Sequence, residues 1–528
     1  MTPDEALSAA LELHRAGKLP NAIRAYEAIV AAHPDHAGAW MNLGAAKRQS
    51  GALDDAVAAL HRAAALAPDH PGVLYNLGNA LAEAARLPEA AASLRAAINA
   101  DGQFADAYNN LGEVLIRNGE AEAAVAAFRD GLAIASSHIG LLTNLANALH
   151  AQGQTPEAVD CLRDAAERAP ENGQILRNLG NVLRGAGHLP DAEDALRRAL
   201  AIAPNDAEAW CLLAFCKLAQ GDYGAGWDAY DWRWQSASHE DARPFAHPLW
   251  DGADLRGKSL LIWGEQAVGD EIMLATMYDE LADRGAAITI ETEHRLQPLF
   301  DRSFPAFQII ARRTPPDPRL STAQFDFQIA SGDLGRILRR AETDFDGTRP
   351  YLRADTEKAR GFRQAYASKA GSRRRIGISW RSGAEQPGMP RSIPPDILAP
   401  LLRRDDCWFV NLQYGDTASE LTTMHNETGV RVYNDPDVDP IRDLDTAAAQ
   451  IASLDLVISA ANTTVHMAGA LGMATWVLLS RTPDWRWMLA GDTSPWYPSV
   501  QLFRQDLSGN WMAPLAAVME ILDNEPAP

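Results

Sequence analysis

The chain is short of cysteine, of positive charge and of long apolar runs, and each shortage closes off a class of function. Its four cysteines, Cys161, Cys211, Cys216 and Cys407, show no CxxC spacing and no histidine cluster nearby. That pattern argues against a thiolate metal site or a disulfide framework and leaves reduced, buried thiols. Lys and Arg number 48 against 69 Asp and Glu, a formal net charge of -21. Broad binding to a phosphate backbone needs clustered cations, so no nucleic-acid partner is expected, although a local anion pocket is still allowed. No apolar run approaches the roughly 18 residues that cross a bilayer, so no membrane insertion is expected. The start, Met1-Thr2-Pro3-Asp4-Glu5, is acidic, and Arg15 and Lys18 interrupt the next apolar positions. It does not read as a signal peptide, and a cytoplasmic location is expected. No DxD-like metal motif stands in a convincing position, Asp435-Pro436-Asp437 reads as a turn, and no Ser/His/Asp or Cys/His order emerges. Neither a metal nor a resident cofactor is expected.

Repetition, by contrast, is abundant. Asn42-Leu43-Gly44 returns as Asn76-Leu77-Gly78, Asn110-Leu111-Gly112, Asn144-Leu145-Ala146 and Asn178-Leu179-Gly180, always 34 residues on. Ala22, Ala56, Ala90, Ala124, Ala158 and Ala192 keep the same step, and Pro34, Pro68, Pro170 and Pro204 mark repeat ends. This is the tetratricopeptide-repeat (TPR) pattern of two helices per repeat, with small residues where helices cross. An α-solenoid of about six repeats is expected over 1–220. Repeats bury their apolar faces only against neighbours, so a solenoid offers a groove rather than an enclosed site. Asn42, Asn76, Asn110, Asn144 and Asn178 share one register of the first helix. An amide both donates and accepts, so such a ladder suits the main chain of an extended peptide acceptor. The same amides can instead satisfy neighbouring helices.

After about residue 220 the pattern decays. Tyr223, Trp227, Tyr230 and Trp234 recur at helical spacing, which predicts an aromatic stripe that caps the solenoid and docks it on the next domain. Residues 236–254 read as an irregular linker, so 221–255 forms a junction.

Beyond it, short apolar runs alternate with helical stretches. Strands are expected at 258–263, 287–291, 307–311, 375–380, 408–413, 455–460 and 474–479, with a helix over 270–284. Such alternation builds parallel βα units, here as two successive Rossmann-like lobes, 256–355 and 356–528. Ligands of these folds bind at the carboxyl ends of the strands, which singles out the loops after Trp263, Trp380, Gln413 and Ala460.

In the first of those loops Asp270 lies at or near a helix start. It either caps backbone N–H groups or acts as the general base toward an acceptor nucleophile. In the last loop, Asn462, Thr463 and Thr464 open a small-residue helix whose N-terminus suits phosphate. His466, one turn in, would offset leaving-group charge as an imidazolium, or simply pack. Arg381-Ser382-Gly383 supplies a guanidinium suited to phosphate, and Gln413 and Tyr414 are placed to contact base or ribose.

Taken together, the repeats, Gly226-Trp227 through Trp232-Arg233-Trp234, Glu265-Gln266 through Gly269-Asp270, Ile378 to Arg381, Leu412 to Asp416, Asn462 to His466, Asp484 to Trp487 and Ser494 to Pro498 resemble bacterial TPR proteins with a GT-B glycosyltransferase domain, distantly similar to heptose transferases. The architecture also resembles O-GlcNAc transferase. The resemblance covers about residues 5 to 520. It implies metal-independent transfer from a nucleotide sugar to a protein acceptor held by the TPR groove, with flagellin Ser/Thr as the acceptor class favoured. The nucleotide base, whether CMP, UDP or another, is left open. Asp270 matches the presumed base of those enzymes, which implies inversion at the anomeric carbon. Arg381, Ser382, Gln413, Tyr414, Asn462, Thr463, Thr464 and His466 fall on the donor side, and Glu265 and Gln266 on the acceptor side. Two positions depart from the pattern: Ala267 stands where relatives often have Gly, and Ala461 where heptose transferases have Asp, which disfavours ADP-heptose. A glycan acceptor and a non-catalytic adaptor are the alternative readings.

Overall fold

A computed structural model describes residues 2–237, 242–322, 324–383, 391–506 and 509–524. The chain forms two compact units, Met1–Val182 and Leu183–Pro528. The first contains consecutive helix pairs, from Pro3–Arg15 with Leu19–Ala32 to Ile139–Ala151 with Thr155–Arg168. Helical pairing continues in sequence as far as Tyr230, but the last pair, Ala207–Ala219 and Tyr223–Tyr230, belongs to the second unit. The compact division therefore falls earlier than the position 220 suggested by the repeat register.

Three features of the 34-residue step build this region. The register alanines, from Ala22 to Ala192, are all 0% exposed, which lets helices cross closely. The residue closing the first helix of each repeat has a positive φ. Glycine fills it at 17, 51, 119, 153, 187 and 221, and Ala85 takes the same backbone at φ 58°. The third feature escaped the sequence reading. His36, His70 and His138 occupy one register of the 34-residue step, which Phe104 fills without capping between the last two, and they cap their helices through a side chain that accepts from Ala39, Val73 and Leu141 N–H. Asn172 and Asp206 fill the same register and cap likewise, as polar acceptors at a helix start do.

The second unit carries two parallel sheets. In one, β1 (Ser259–Trp263), β2 (Ala287–Thr292), β3 (Gln308–Ala311) and β4 (Phe327–Ala330) lie in the order β3-β2-β1-β4. In the other, β5 (Arg374–Ser379), β6 (Cys407–Asn411), β7 (Leu456–Ala460), β8 (Thr475–Leu479) and β9 (Val500–Arg504) lie in the order β6-β5-β7-β8-β9. Strands covered on both faces read as continuous apolar runs, which is why β1, β6, β7 and β8 were legible. β4 (FQIA) and β9 (VQLFR) are broken by polar residues and were not.

Two expectations need correction. The helix predicted over 270–284 is three pieces, Val268–Leu274, a tight turn Ala275–Met277 and Tyr278–Ala282, and every residue from Glu271 to Tyr278 is buried. The predicted linker is not merely irregular. Residues 238–241 lie outside the described residues, but Leu249 bridges Gln328 and the Gln328 amide donates to Phe245 and His247 carbonyls, extending the edge at β4. The aromatic stripe is core of the second unit. Trp227 is buried against Trp485 and Tyr230, and Tyr223 against Phe345.

Candidate functional site

The carboxyl end of β1 is held by charge. Gly264 has no room for a side chain, because a Cβ there would sit 2.5 Å from the Glu271 carboxylate. Glu271 is buried, and Arg312 bridges it to the Gly264 carbonyl. Burial raises its carboxyl to about 7 against the opposing pull of Arg312. Glu265 is gripped by Arg233 at 3.0 and 2.7 Å and accepts from Gly332 N–H. Gln266, at φ 65°, donates to the Tyr230 hydroxyl. These two predicted acceptor-side residues thus shape the loop through internal bonds.

Asp270 is not a helix cap. The cap of helix Val268–Leu274 is Ala267, which makes no side-chain bond, and Asp270 lies three residues in. Among the described residues its carboxylate bonds no backbone group, and it forms an ion pair with Arg486. Arg486 also reaches Asp484 at 2.5 Å, and Arg391 takes the other Asp484 oxygen at 3.1 Å. The Asp484 carboxyl is held down at about 2: burial raises it, but Arg486 and Arg391 outweigh burial. None of these three partners was singled out from the sequence. Asp484-Trp485-Arg486-Trp487 marked the resemblance, but only a contact across 216 residues reveals its part.

At the second sheet, two predicted donor contacts are interior clamps. The Gln413 side-chain oxygen Oε1 accepts from Ser379 Oγ, Trp380 N–H and Arg381 N–H, tying β5 to the chain after β6. Asn462 caps helix Thr463–Ala470 through Thr464 N–H, and its amide donates to Ser379 Oγ and the Arg381 carbonyl. Arg381 pairs with Glu420 at 3.2 Å and donates to the Asp416 carbonyl. Ser382 is buried and its N–H donates to Ser392 Oγ, while the Tyr414 hydroxyl accepts from Gly383 N–H. His466 is buried, stacked on Trp487 and bonded to the Tyr497 hydroxyl at 2.9 Å. Burial, followed by the Arg486 charge, lowers it to about 3. The imidazolium expected at this position is a neutral imidazole.

The helices after β1 and β7 pack on each other. A Cβ on Gly269 would lie 3.1 Å from His466 Cδ2 and 3.5 Å from Thr463 Oγ1. Between the carboxyl ends of the two sheets lies a cavity of about 360 Å³. Ala267 and Val268 line it from one sheet, and Gly383, Tyr414, Thr463 and Thr464 from the other. Leu412, Leu444, Ile451 and Met467 form an apolar floor and Arg295 stands at its edge. Its size and its mostly apolar lining with few polar groups suit a small-molecule site. A second cavity of about 460 Å³ beside β1–β3 is lined by Arg243, Arg312 and Glu293. Two of its three arginines are already committed, Arg243 to Glu291 and Arg312 to Glu271, and Arg313 stands 3.8 Å from Asp317.

In the first unit the ladder asparagines are half-buried. Asn110 donates to Tyr75 and Asn79 of the preceding repeat, Asn144 to Asn109 and Glu113, and Asn42 back to the Gly38 carbonyl. Amides in this register thus tie neighbouring repeats together. Asn76 and Asn178 hold the same register of helices Pro71–Glu83 and Gly173–Gly185.

Among the described residues no helix is long and apolar enough to cross a membrane, and no group of three His, Cys, Asp or Glu side chains is placed to hold a metal.

Profiles of the tetratricopeptide repeat match residues 7–71, 47–115, 103–171 and 137–205. The chain is 34% identical over 320 residues to Protein FlbA of Caulobacter vibrioides, an alignment covering 58% of this chain and 53% of FlbA. The chain thus spans about half the length of that relative. Among solved structures it is similar to MamA, at 27% identity over 30% of this chain and 93% of that one, with a TM-score of 0.29. It is similar also to YrrB, described as a TPR protein with an unusual peptide-binding site, at 18% identity over 35% and 95% with a TM-score of 0.31. PilW, a type IV pilus biogenesis factor, matches at 20% identity over 40% and 98% with a TM-score of 0.37. Scores this low add nothing on the fold as a whole. The repeat register and the profile matches agree on one point: residues 7–205 are tetratricopeptide repeats.

Proposed function

We propose that the chain is a GT-B glycosyltransferase that moves a sugar from a nucleotide-sugar donor to a protein hydroxyl, with flagellin Ser/Thr as the favoured acceptor class and the repeats as the surface that recruits it. The supporting observation is the 360 Å³ cavity between the carboxyl ends of two parallel sheets, with a strand–loop–helix opening on it from each. Strand ends of this kind are where nucleotides bind in doubly wound folds. The apolar floor suits a base and ribose, and the start of helix Thr463–Ala470 suits phosphate.

In this reading the acceptor hydroxyl oxygen attacks the anomeric carbon and forms the new C–O bond. Its proton passes to the Asp270 carboxylate, and the bond from the anomeric carbon to the phosphate oxygen breaks, its electrons leaving with the nucleotide. Direct displacement inverts the anomeric centre. Neutral His466 braces the 463–470 helix against Trp487 rather than carrying charge. Gln413 and Asn462 bond the Arg381 backbone, and Gly383, two residues on, lines the cavity.

The test is calorimetric binding of UDP, GDP, ADP and CMP to the full chain and to Ala447→Phe, a substitution at a further lining residue that fills the cavity. One nucleotide should bind, and the substitution should weaken it by about tenfold or more, equivalent to about 1.4 kcal/mol. A folded protein that binds none of the four would defeat the reading and favour an adaptor whose working surface is the repeat groove.

A further inference from the structure

Arg486 keeps one buried donor that its present partners leave unused. One guanidinium nitrogen, Nη1, is fixed by Asp484, whose second oxygen is held by Arg391. The side chain lies over Trp485, its central carbon 4.5 Å from the ring centre, so the plane of the fork is set. The opposite edge, Nε with Nη2, is the edge that grips a phosphate or carboxylate with two parallel bonds. Here it is half used. Nη2 donates to Asp270, and buried Nε finds no partner among the described residues. A buried donor left single carries a desolvation cost that an anion on that edge would remove.

The neighbourhood fits an anion. Asp270 comes directly after Gly269, where an added Cβ would lie 3.1 Å from His466 and 3.5 Å from Thr463, and Thr463 lines the cavity. The charges within the cluster balance as drawn, two arginines against two aspartates. An arriving phosphate would therefore compete with Asp270 for Nη2 while gaining Nε, which the carboxylate leaves empty.

We propose that Arg486 is a donor-phosphate ligand, and that in the free protein it holds Asp270 in an ion pair that the donor itself breaks. Phosphate takes the Nε–Nη2 edge, Asp484 keeps the guanidinium in place through Nη1, and the Asp270 carboxylate is released to accept the proton of the acceptor hydroxyl. The base is thus engaged until the leaving group is seated. The inference rests on the glycosyltransferase reading, and it assigns to that site an arginine and a switching contact.

Such a latch has a signature that simple binding lacks, because removing the competitor should tighten the ligand. The experiment measures, by calorimetry on the full chain, whichever of UDP, GDP, ADP and CMP binds the unaltered protein. Asp270→Asn, close to isosteric, should bind it about fivefold tighter or more, the lower end of typical coupling between sites. Arg486→Ala should weaken it about tenfold, and the double substitution should match Arg486→Ala, since the competition no longer exists. Should Arg486→Ala fail to fold by thermal melting, Arg486→Lys takes its place; it keeps the charge, loses the two-toothed edge and should also weaken binding. A nucleotide that binds the unaltered chain but is bound equally or more weakly by Asp270→Asn would overturn the latch while leaving the cavity reading intact. Absence of binding by the unaltered chain would remove both.

Discussion

The two units of this chain are built by opposite means. The first repeats a few small contacts: alanines in register, a left-handed residue after each first helix, and a polar cap at the start of most first helices, Phe104 being the exception. Trp40 is its one tryptophan, and the other 13 of the 14 fall in the second unit. The second unit uses large rings and buried ions, each once. Arg233 meets Asp333 across 100 residues, Asn462 meets Ser379 across 83 and Asp270 meets Arg486 across 216. In a repeat array stability is close to a sum of neighbouring terms. In the second unit a single residue can hold several elements together, so single losses there should be large.

Arg233 provides the widest separation between the two. It is 2% exposed, and its guanidinium serves both Glu265 and Asp333. Burial pulls its affinity for the proton down, and the two carboxylates more than restore it. Arg233→Ala would leave the buried Glu265 carboxylate and the part-buried Asp333 carboxylate without their cation, which costs on the order of 3–5 kcal/mol. Urea unfolding followed by tryptophan emission reports almost wholly on the second unit and should show this loss. Amide exchange within residues 2–182 should be unchanged. An equal loss in both places would break the contrast.

The same contrast explains what could be read in advance. A 34-residue register announces itself several times over, so the solenoid helices were legible, and so were strands covered on both faces. β4 and β9 were not, because polar residues interrupt their apolar runs. At the site, sequence placed Asp270, Tyr414, Thr463 and Thr464 in the segments that follow β1, β6 and β7, where the structure also has them, Asp270 inside the helix rather than at its start. It did not find Arg486, Asp484 or Arg391, since nothing local marks which arginine reaches across to an aspartate far away in the chain. It also gave His466 a charge that burial removes. Gln413 and Asn462 were noticed for the right reason, polar groups at strand ends, but their donors and acceptors are spent on fixing the loops.

A second prediction sets two titrations within the second unit against each other. Glu271 is raised from 4.5 to about 7 by burial, so the folded state binds its proton more tightly than the unfolded chain. The stability this supplies is full below pH 4.5 and is lost as pH rises through 7, about 3 kcal/mol at about 1.4 per unit. His466 moves the other way, from 6.5 to about 3, also through burial. Its contribution is full above pH 6.5 and is lost as pH falls toward 3. Between 4.5 and 6.5 the two slopes oppose each other. Glu271→Gln should expose the His466 slope, stability falling on acidification across that window, in urea midpoints taken at half-unit steps. His466→Gln should expose the reverse. Parallel shifts with no change of slope would mean that neither group titrates with folding.

The smallest effect tests whether the repeats can serve as their own controls. Gly44, Gly78 and Gly112 occupy one register, and an added Cβ would lie 2.4, 2.6 and 2.2 Å from Leu60, Leu94 and Phe128 respectively. The next repeat already carries alanine there, Ala146, fully buried, with Leu162 in the position that faces it elsewhere. A leucine can turn a branch aside, as that repeat shows, whereas a ring wedged edge-on cannot shorten. Gly112→Ala should therefore cost about 1–3 kcal/mol, the usual range for overpacking. Gly78→Ala should cost less, because the Leu94 branch can turn aside where the Phe128 ring cannot, while the helix-propensity gain of roughly 0.5–1 kcal/mol is common to both variants. Circular dichroism melts of the two variants decide it. A larger drop for Gly78→Ala would mean that the register does not transfer between repeats, and the additive picture of the first unit would fail with it.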